Sequence, residues 1–279
     1  MQLQLAGWND FWAHNFTDYA KNGLAPARVL ARFRYSYSLW TASGETGAEV
    51  AGALLHRAAP TDLPAVGDWV AVRQDAPDGP SIITDVLPRK TKFSRKVSGT
   101  AAEEQVIAAN IDLLVIVCGL DHDYNLRRLE RYLVAAGQSG AKTAIVLNKA
   151  DLCAELEAQV AEVKAIAGEV PVVAISALSA GGQGNGALEA LLPMIAPGET
   201  AALVGSSGAG KSTIVNQLLG RAAQATQPTD ESDGRGRHTT THRELFFLPN
   251  GGLILDNPGT RELQLWSQDA QKGSSQSAV

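Results

Sequence analysis

One segment in the C-terminal third of the chain has the composition and spacing of a phosphate-binding loop. It reads GSSGAGKST and lies between the apolar run Ala201 to Val204 and a stretch of helical character that reaches Leu218. Glycines let backbone N–H groups surround a β-phosphate, Lys211 can reach the β- and γ-phosphates, and the Ser212 hydroxyl can ligate Mg²⁺. The pattern predicts a nucleotide site with Mg²⁺ but does not separate ATP from GTP. Its predicted nucleotide-binding residues are Gly205, Ser206, Ser207, Gly208, Ala209, Gly210, Lys211, Ser212 and Thr213.

A second motif, Asn148-Lys149-Ala150-Asp151, predicts which base is bound. It follows an apolar strand pattern at 144–147, so it lies at the carboxyl end of a strand, where open α/β sheets bind ligands. A carboxylate only accepts hydrogen bonds, and Asp151 can accept both hydrogens from guanine N1 and N2, which adenine lacks. Lys149 can lay its stem over the base plane, and Asn148 can tie this loop to the phosphate loop. The motif favours guanine.

A third short motif, Ser176-Ala177-Leu178, again follows a strand pattern. The backbone N–H of Ala177 can donate to guanine O6. We therefore add Ser176 and Ala177 to the predicted nucleotide-binding residues.

The segment Leu253 to Gly259 reads LILDNPG and has the strand-to-loop form of a nucleotide sensor. In such loops an aspartate, here Asp256, holds Mg²⁺ through water, and the N–H of a glycine, here Gly259, senses the γ-phosphate. Many GTPases place a glutamine next to orient the attacking water. Thr260 stands there in this chain and is too short for that task, so catalysis needs another group.

A long polar stretch at 221–243 supplies candidates for that group, and structureless segments of this length are usually functional. We predict His238 as the catalytic residue that orients or deprotonates water, although a solvated surface histidine would have the same surroundings. Arg235 or Arg237 could neutralise charge in the transition state. Thr240 is the predicted Mg²⁺ ligand of the threonine run, in preference to Thr239.

These motifs occur in a rotated order. NKAD comes first, the phosphate loop second and DNPG last, whereas ordinary GTPases place the phosphate loop first and NKxD after DxxG. Joining close termini and reopening a chain at a surface loop leaves its core contacts in place. The order therefore predicts a circularly permuted GTPase.

The elements that must position these motifs follow an α/β pattern over 103–266. A continuous apolar run at 111–118 predicts a strand buried on both faces, and Asn125 can cap a helix that presents Leu126, Leu129 and Leu133 on one face. Further buried strands are predicted at 144–147, 171–175, 201–204 and 253–255. We expect a mainly parallel, doubly wound sheet.

Residues 27–88 have a different pattern, after an N-terminal extension at 1–26. Short strand-like runs predict about five strands without an intervening helix, and hence a small OB-like β-barrel, although an SH3-like barrel would have the same pattern. The first strand is predicted to be half-buried, with Val29, Ala31, Phe33 and Tyr35 alternating with Arg28, Arg32 and Arg34. The later runs lie at 47–57, 66–74 and 81–87.

Two segments could contact RNA. The three arginines of the first strand could meet the RNA backbone, with Tyr35 and Trp69 as stacking groups, although aromatic residues of a barrel more often belong to its core. Residues 89–102 are rich in lysine and arginine around Phe93, and are either a solvated linker or a nucleic-acid contact. Residues 267–279 form a polar tail that we expect to be disordered.

Composition limits the other classes of function. The 279 residues are 45% hydrophobic and 19% charged, which allows a proper core, and the formal net charge of −5 confines any RNA-binding surface to a local patch. Two cysteines without a CxxC partner offer no disulfide framework or zinc cluster. The N-terminus lacks the pattern of a signal peptide and no run reaches membrane-spanning length, so we expect a cytoplasmic monomer that does not bind a membrane.

The chain resembles the small-subunit-dependent ribosomal GTPases known as the RsgA or YjeQ family. The resemblance spans nearly the whole chain: PAVGDWVAV, KFSRK, EEQVIAANID, NKAD, GSSGAGKST, GRGRHTTTHREL and DNPGTREL. It implies an OB-fold domain before a permuted GTPase domain, GTP hydrolysis stimulated by the small ribosomal subunit, and a role in late maturation of that subunit through its rRNA. It also implies that His238 is the catalytic histidine.

One departure affects what the resemblance implies. Family members continue into a helical C-terminal domain with a zinc site, whereas this sequence ends in SQDAQKGSSQSAV, so zinc is not expected. Three alternatives stay open. The chain could be a GTP-binding module with weak hydrolysis, a P-loop ATPase or kinase of another lineage, or a permuted GTPase that acts on the large subunit, which the N-terminal barrel disfavours.

Overall fold

In the computed structural model, residues 2–34, 36–74, 79–96, 104–178, 186–220 and 243–256 are described. Two short helices, α1 (Gln2–Leu5) and α2 (Asp10–Lys21), come first. The strands β1 (Ala25–Arg32), β2 (Tyr37–Thr41), β3 (Gly44–Val50), β4 (Trp69–Arg73) and β5 (Ser81–Val86) follow, with helix α3 (Gly52–Arg57) between β3 and β4.

These five strands close into a barrel. Their order is β1-β2-β3-β5-β4, and β4 returns to pair with β1. Only β3 and β5 run parallel, while the other neighbours are antiparallel. The predicted OB-like barrel is therefore confirmed, with the closed circuit that removes free strand edges.

The prediction that no helix interrupts these strands was wrong. Residues 47–57 were predicted as one strand, but β3 ends at Val50 and α3 begins at Gly52. Alanine and leucine, which dominate Gly52 to Arg57, form helices better than β-branched residues do, and the burial of Leu54 anchors the turn.

The predicted half-buried pattern of β1 was also wrong. Arg28 is 2% exposed, between buried residues on both sides. Its guanidinium donates to the carbonyl oxygens of Ala6, Gly67 and Asn110 and to Oγ1 of Thr200, so the buried charge is compensated by four hydrogen bonds. Burial lowers the pKa of Arg28 to about 10, against the opposing charges of Asp112 and Asp68. Arg28 is therefore not available to RNA.

Trp69, proposed as a possible stacking group for RNA, is fully buried. Helix α2 covers it, because the apolar face of the helix packs Trp12 and Phe16 against the barrel. Asn9 caps the start of this helix by accepting from Phe11 N at 3.1 Å. The rings of Trp8 and Trp69 meet edge to face with centroids 4.8 Å apart. Trp69 is a core residue that fastens the N-terminal helices to the barrel.

Part of the predicted basic linker is a strand. Strand β6 (Lys92–Lys96) pairs antiparallel with β7 (Glu104–Ala109), and Phe93 is 1% exposed. Just before it, Arg89 forms an ion pair with the buried Asp68, with 2.7 Å between Nη2 and Oδ2. The segment at 89–96 is thus held by tertiary contacts and is not a solvated connection.

The second half of the chain forms the predicted α/β layer. Its strands are β8 (Leu113–Gly119), β9 (Lys142–Asn148), β10 (Val172–Ala174), β11 (Thr200–Gly205), β12 (Glu244–Phe247) and β13 (Leu253–Asp256). Its helices are α4 (Leu126–Ser139), α5 (Leu156–Ala167), α6 (Gly186–Leu191) and α7 (Lys211–Leu219), with short 3₁₀ turns at Ala150–Leu152 and Leu192–Met194.

The strand order β10-β9-β8-β11-β13-β12 is parallel except for the last pair. Asn125 caps α4 as predicted, accepting from Arg128 N at 2.9 Å. The mainly parallel sheet is thus confirmed, whereas β12 was not predicted.

Strand β12 joins the two halves of the chain into one sheet. Its first residue, Glu244, pairs with Asp256 of β13 on one side and with Ala31 of β1 on the other. The barrel and the nucleotide-binding sheet therefore share a strand at their boundary. Within the described residues, no helix is long and apolar enough to cross a membrane.

Candidate nucleotide site

The predicted motifs meet at one edge of the parallel sheet. Strand β9 ends at Asn148, which is in register with Gly119 at the end of β8, and Gly205 at the end of β11 is in register with Val117. Strand β13 runs parallel to β11 and ends at Asp256. Because the carboxyl ends of parallel strands share one edge, motifs far apart in sequence become neighbours.

The phosphate loop connects β11 directly to α7, as the sequence predicts. Gly205 is at a close approach of two strands: a Cβ there would lie 2.1 Å from the carbonyl oxygen of Val117, so only glycine fits without a shift. Ala209 is fully buried beneath the loop, while Ser206, Ser207 and Gly210 are half-buried and Gly208 is exposed. Ser212 and Thr213 lie half-buried in the first turn of α7.

Lys211 is folded back across its own loop. Its Nζ donates to the carbonyl oxygens of Gly205 at 2.9 Å and Ser206 at 2.6 Å, and the residue is 7% exposed. Burial lowers the pKa of Lys211 to about 8, against the opposing charges of Asp256 and Asp123. The ammonium is thus held by neutral acceptors at a position where a phosphate would compensate its charge better.

Asn148 connects the base-reading loop to the phosphate loop. Its Nδ2 donates to the carbonyl oxygen of Ala209 at 2.9 Å, and its Oδ1 accepts from the N–H of Ala177 at 2.9 Å. Gly210 makes this approach possible, because a Cβ there would lie 2.1 Å from Nδ2 of Asn148. The link predicted between the two loops is present. The N–H of Ala177, predicted to donate to guanine O6, is used by Asn148 instead.

The backbone around Asp151 is set by two neighbouring residues. Lys149 adopts a left-handed conformation with φ 64°, which turns the chain into the 3₁₀ turn at Ala150–Leu152. The Asp151 N–H then donates to Oγ of Ser176 at 3.0 Å. The Asp151 side chain is exposed, just beyond the carboxyl end of β9. An exposed carboxylate on a fixed backbone is suited to accepting hydrogen bonds from a base.

Asp256, the last residue of β13, places a buried carboxylate near the charge of Lys211. It is 1% exposed, and neither carboxylate oxygen has a hydrogen-bond partner among the described residues. Burial raises the pKa of Asp256 to about 6 against the nearby charge of Lys211, and Glu244 raises it further. A buried, unpaired carboxylate beside a phosphate loop fits a hydrated Mg²⁺. The described residues contain no cluster of three or more His, Cys, Asp or Glu side chains that would bind a metal by themselves.

Two aspartates of the site were missed by sequence reasoning. Between β8 and α4, Asp121 accepts from Nζ of Lys149 at 2.5 Å, and Asp123 accepts from the hydroxyl of Ser206. Asp123 also forms an ion pair with Arg128, with 2.8 Å between Nη2 and Oδ1. Two acidic residues directly after a buried parallel strand were the available signal.

Several predicted site residues lie outside the described residues. They are the catalytic His238, the Mg²⁺ ligand Thr240, Gly259, and the candidate arginines Arg235 and Arg237. Their roles stay predictions.

Comparison with known proteins agrees with this geometry. A model of the family described as RsgA GTPase matches residues 86–266, more than half of the chain. A protein of Opitutus terrae named small ribosomal subunit biogenesis GTPase RsgA is 48% identical over 278 residues, covering 96% of this chain and 74% of that protein. A protein of the same name from Syntrophotalea carbinolica is 44% identical over 276 residues, with the same two coverages.

Solved structures with a similar fold include YjeQ from Thermotoga maritima, with a TM-score of 0.60, 24% identity, and coverage of 85% of this chain and 75% of that one. Another is YloQ, described as a circularly permuted GTPase, with a TM-score of 0.57, 19% identity, and coverage of 86% and 73%. At these identities the likeness concerns the fold. The chain has the fold of the circularly permuted GTPase YloQ. The family match and the close relatives together establish that the chain belongs to the RsgA GTPase family.

Proposed function

We propose that this GTPase uses Mg²⁺ and assists late maturation of the small ribosomal subunit, binding the subunit and its rRNA and being stimulated by it. The observation that carries the nucleotide part is the bridge from Asn148 to Ala209 and Ala177, which brings the base loop and the phosphate loop into one site. The names of the curated relatives support the partner. That partner also favours a cytoplasmic location, and we expect a monomer in solution.

Each part of the described site has a task in this proposal. Asp151 accepts from guanine, Lys149 covers the base, and Lys211 exchanges the carbonyls of Gly205 and Ser206 for phosphate oxygens. Ser212, Thr240 and, through water, Asp256 would hold Mg²⁺, which supplies charge neutralisation on the phosphates when bound. The bare carboxylate of Asp256 supports this assignment.

His238 is the proposed catalytic residue, because Thr260 replaces the glutamine that would orient water. We expect His238→Ala to lower subunit-stimulated turnover by a factor on the order of 10² to 10⁴ while GTP still binds. His14→Ala is the matched control, since His14 is an exposed histidine on α2. Nucleotide affinity with near-zero turnover that His238→Ala does not change would favour the alternative of a GTP-binding module.

The decisive experiment measures GTP hydrolysis with purified small subunits, with large subunits and without either. Stimulation by small subunits alone supports the proposal. Equal stimulation by large subunits would favour a different ribosomal partner, and no response to either would remove the ribosomal assignment. Hydrolysis of ATP at the rate of GTP would instead indicate a P-loop NTPase of another specificity.

A further inference from the structure

Three arginines gather where the barrel joins the nucleotide-binding sheet: Arg32 and Arg243 occupy opposed positions, and the charge of Arg95 also acts on Arg243. Arg32 ends β1, Arg243 directly precedes β12, and Arg95 belongs to β6. Ala31 pairs with Glu244 in an antiparallel ladder, so the next position outward places Arg32 opposite Arg243. Directly opposed like charges destabilise a strand pair, so the repulsion between Arg32 and Arg243 lowers the stability of the fold.

The charges of this cluster are not compensated within the described residues. No carboxylate oxygen described there lies within 4.0 Å of these three side chains. Arg32 has its guanidinium 5.9 Å from the ring centroid of Tyr37, and Nε of Arg95 donates to Gln105 at 2.8 Å. Nε of Arg243 is buried and has no hydrogen-bond partner among the described residues.

Buried nitrogen donors are usually hydrogen-bonded. An acceptor from a bound ligand could therefore pair with Nε of Arg243. Burial and the charges of Arg95 and Arg32 lower the pKa of Arg243 to about 10, and at neutral pH it still carries its charge. An anion placed among the three would relieve both the repulsion and the missing hydrogen bond. Guanidinium groups match phosphate oxygens in geometry, which makes phosphate the fitting anion.

We propose that Arg32, Arg95 and Arg243 together bind a phosphate of an RNA backbone. RNA is favoured over a free anion because Arg32 is exposed at the barrel surface while Arg95 and Arg243 are half-buried, so the site opens to an extended ligand. The inference rests on the proposed function in one respect, since that RNA is expected to be the rRNA of the small subunit.

The position of the site adds a structural consequence. Glu244, next to Arg243, pairs with Asp256, the carboxylate of the nucleotide site. The RNA contact is therefore one strand away from the nucleotide-binding edge. Arg243 directly precedes β12, the strand that pairs with both the barrel and the nucleotide-binding sheet.

The salt dependence of RNA binding tests the proposal. The probe is a fluorescein-labelled RNA hairpin, titrated with the full chain at several KCl concentrations and followed by anisotropy. Each arginine charge removed from the RNA backbone should lower the steepness of log affinity against log salt concentration by up to about 1. We expect this loss for Arg243→Gln and separately for Arg32→Gln. Arg243→Lys, which keeps the charge without the planar fork, should keep the slope but bind more weakly.

Arg131→Gln is the matched control, because it removes the same charge from an exposed position on α4. Its slope should equal that of the unsubstituted chain. An unchanged slope in both Arg243→Gln and Arg32→Gln overturns the proposal, and so does an equal loss in Arg131→Gln. If the unsubstituted chain fails to bind the RNA, the proposed rRNA contact fails as well. If small subunits stimulate GTP turnover but the salt dependence of RNA binding is unchanged in both arginine variants, the proposed function stands and only the three-arginine RNA contact is overturned.

Thermal unfolding gives a readout that does not depend on RNA. Relief of the opposed charges should leave Arg243→Gln melting at or above the unsubstituted chain in low-phosphate buffer. Inorganic phosphate at matched ionic strength should stabilise the unsubstituted chain more than the variant, since ligands of the folded state raise its stability. Phosphate stabilisation that is lost in Arg243→Gln, together with an unchanged salt dependence of RNA binding in both variants, would assign the site to a free anion and overturn the RNA assignment.

Discussion

The guanidinium of Arg28 donates to the hydroxyl of Thr200, with 2.8 Å between Nη2 and Oγ1, although 172 positions separate the two residues. Arg28 lies in the first barrel strand and Thr200 begins β11, whose other end leads into the phosphate loop. The same guanidinium reaches the carbonyl oxygen of Ala6, in the turn after α1, and that of Asn110, just after β7. One buried side chain therefore joins the barrel to the central strand of the nucleotide site.

Replacement of Arg28 should destabilise the whole chain. Arg28→Leu would leave the carbonyl oxygens of Ala6 and Asn110 without this donor, whereas Gly67 keeps the bond from Nδ2 of Asn110, and each unsatisfied buried group costs about 1–3 kcal/mol. We expect the free energy of unfolding in urea to fall by about 2–4 kcal/mol, since the charge also no longer has to be buried. Arg127→Leu, at an exposed arginine of α4, should change it by less than about 0.5 kcal/mol. Equal losses would show that Arg28 has no special role.

Asn148 should matter for both nucleotide affinity and stability. Asn148→Ala removes the bonds to Ala209 and Ala177, whereas Asn148→Asp keeps an acceptor for Ala177 and loses the donor toward Ala209. We expect the alanine variant to lose about 1–3 kcal/mol of unfolding free energy and both variants to bind a fluorescent GDP analogue more weakly. GDP affinity equal to that of the unsubstituted chain in Asn148→Asp would mean that the link to Ala209 does not organise the site.

Asp121 is expected to position Lys149 for contact with the base. Burial opposes ionisation of Asp121, but the hydrogen bond and charge of Lys149 outweigh it and hold the pKa of Asp121 below its ordinary 3.8. This pair therefore stabilises the fold at pH above about 4, and its contribution is lost as the pH falls through the lower folded pKa. In Asp121→Asn the free energy of unfolding should fall less steeply as the pH is lowered below about 4. The variant should also bind guanine nucleotides more weakly at neutral pH.

The matched control for Asp121 is Asp18→Asn, since Asp18 pairs with Lys21 on the exposed face of α2, far from the site. That variant should keep the nucleotide affinity. An Asp121→Asn variant whose acid limb and GDP affinity both match the unsubstituted chain would contradict a positioning role.

Asp151 should determine the choice of base. Asp151→Asn replaces one of two acceptors by a donor, so the paired hydrogen bonds to guanine N1 and N2 can no longer both form. The expected result is loss of the preference for GTP over ATP, measured by competition against a fluorescent GDP analogue. Glu157→Gln, an exposed carboxylate on α5, serves as the control and should keep the preference. Retained selectivity in Asp151→Asn would place base recognition elsewhere.

The nucleotide motifs could be predicted because local sequence specifies their geometry. Glycines at Gly205 and Gly210 sit where any Cβ would overlap a neighbouring loop or strand, and NKAD follows a strand whose apolar run is unmistakable. The buried parallel strands could be predicted for the same reason, since residues covered on both faces are continuously apolar. The rotated order of the motifs then identified the permutation.

Sequence alone did not predict the residues whose role depends on distant partners. Arg28 has the sequence pattern of a surface arginine, and only the fold brings four acceptors around it. Asp121 became part of the site because β8 ends beside β9, and the three-arginine cluster exists because β12 joins the barrel strand to the sheet. Local pattern determined the nucleotide chemistry, since short motifs contain their own geometry. Tertiary structure alone decided how that chemistry is connected to the barrel, because pairing across long separations in the chain depends on the whole fold.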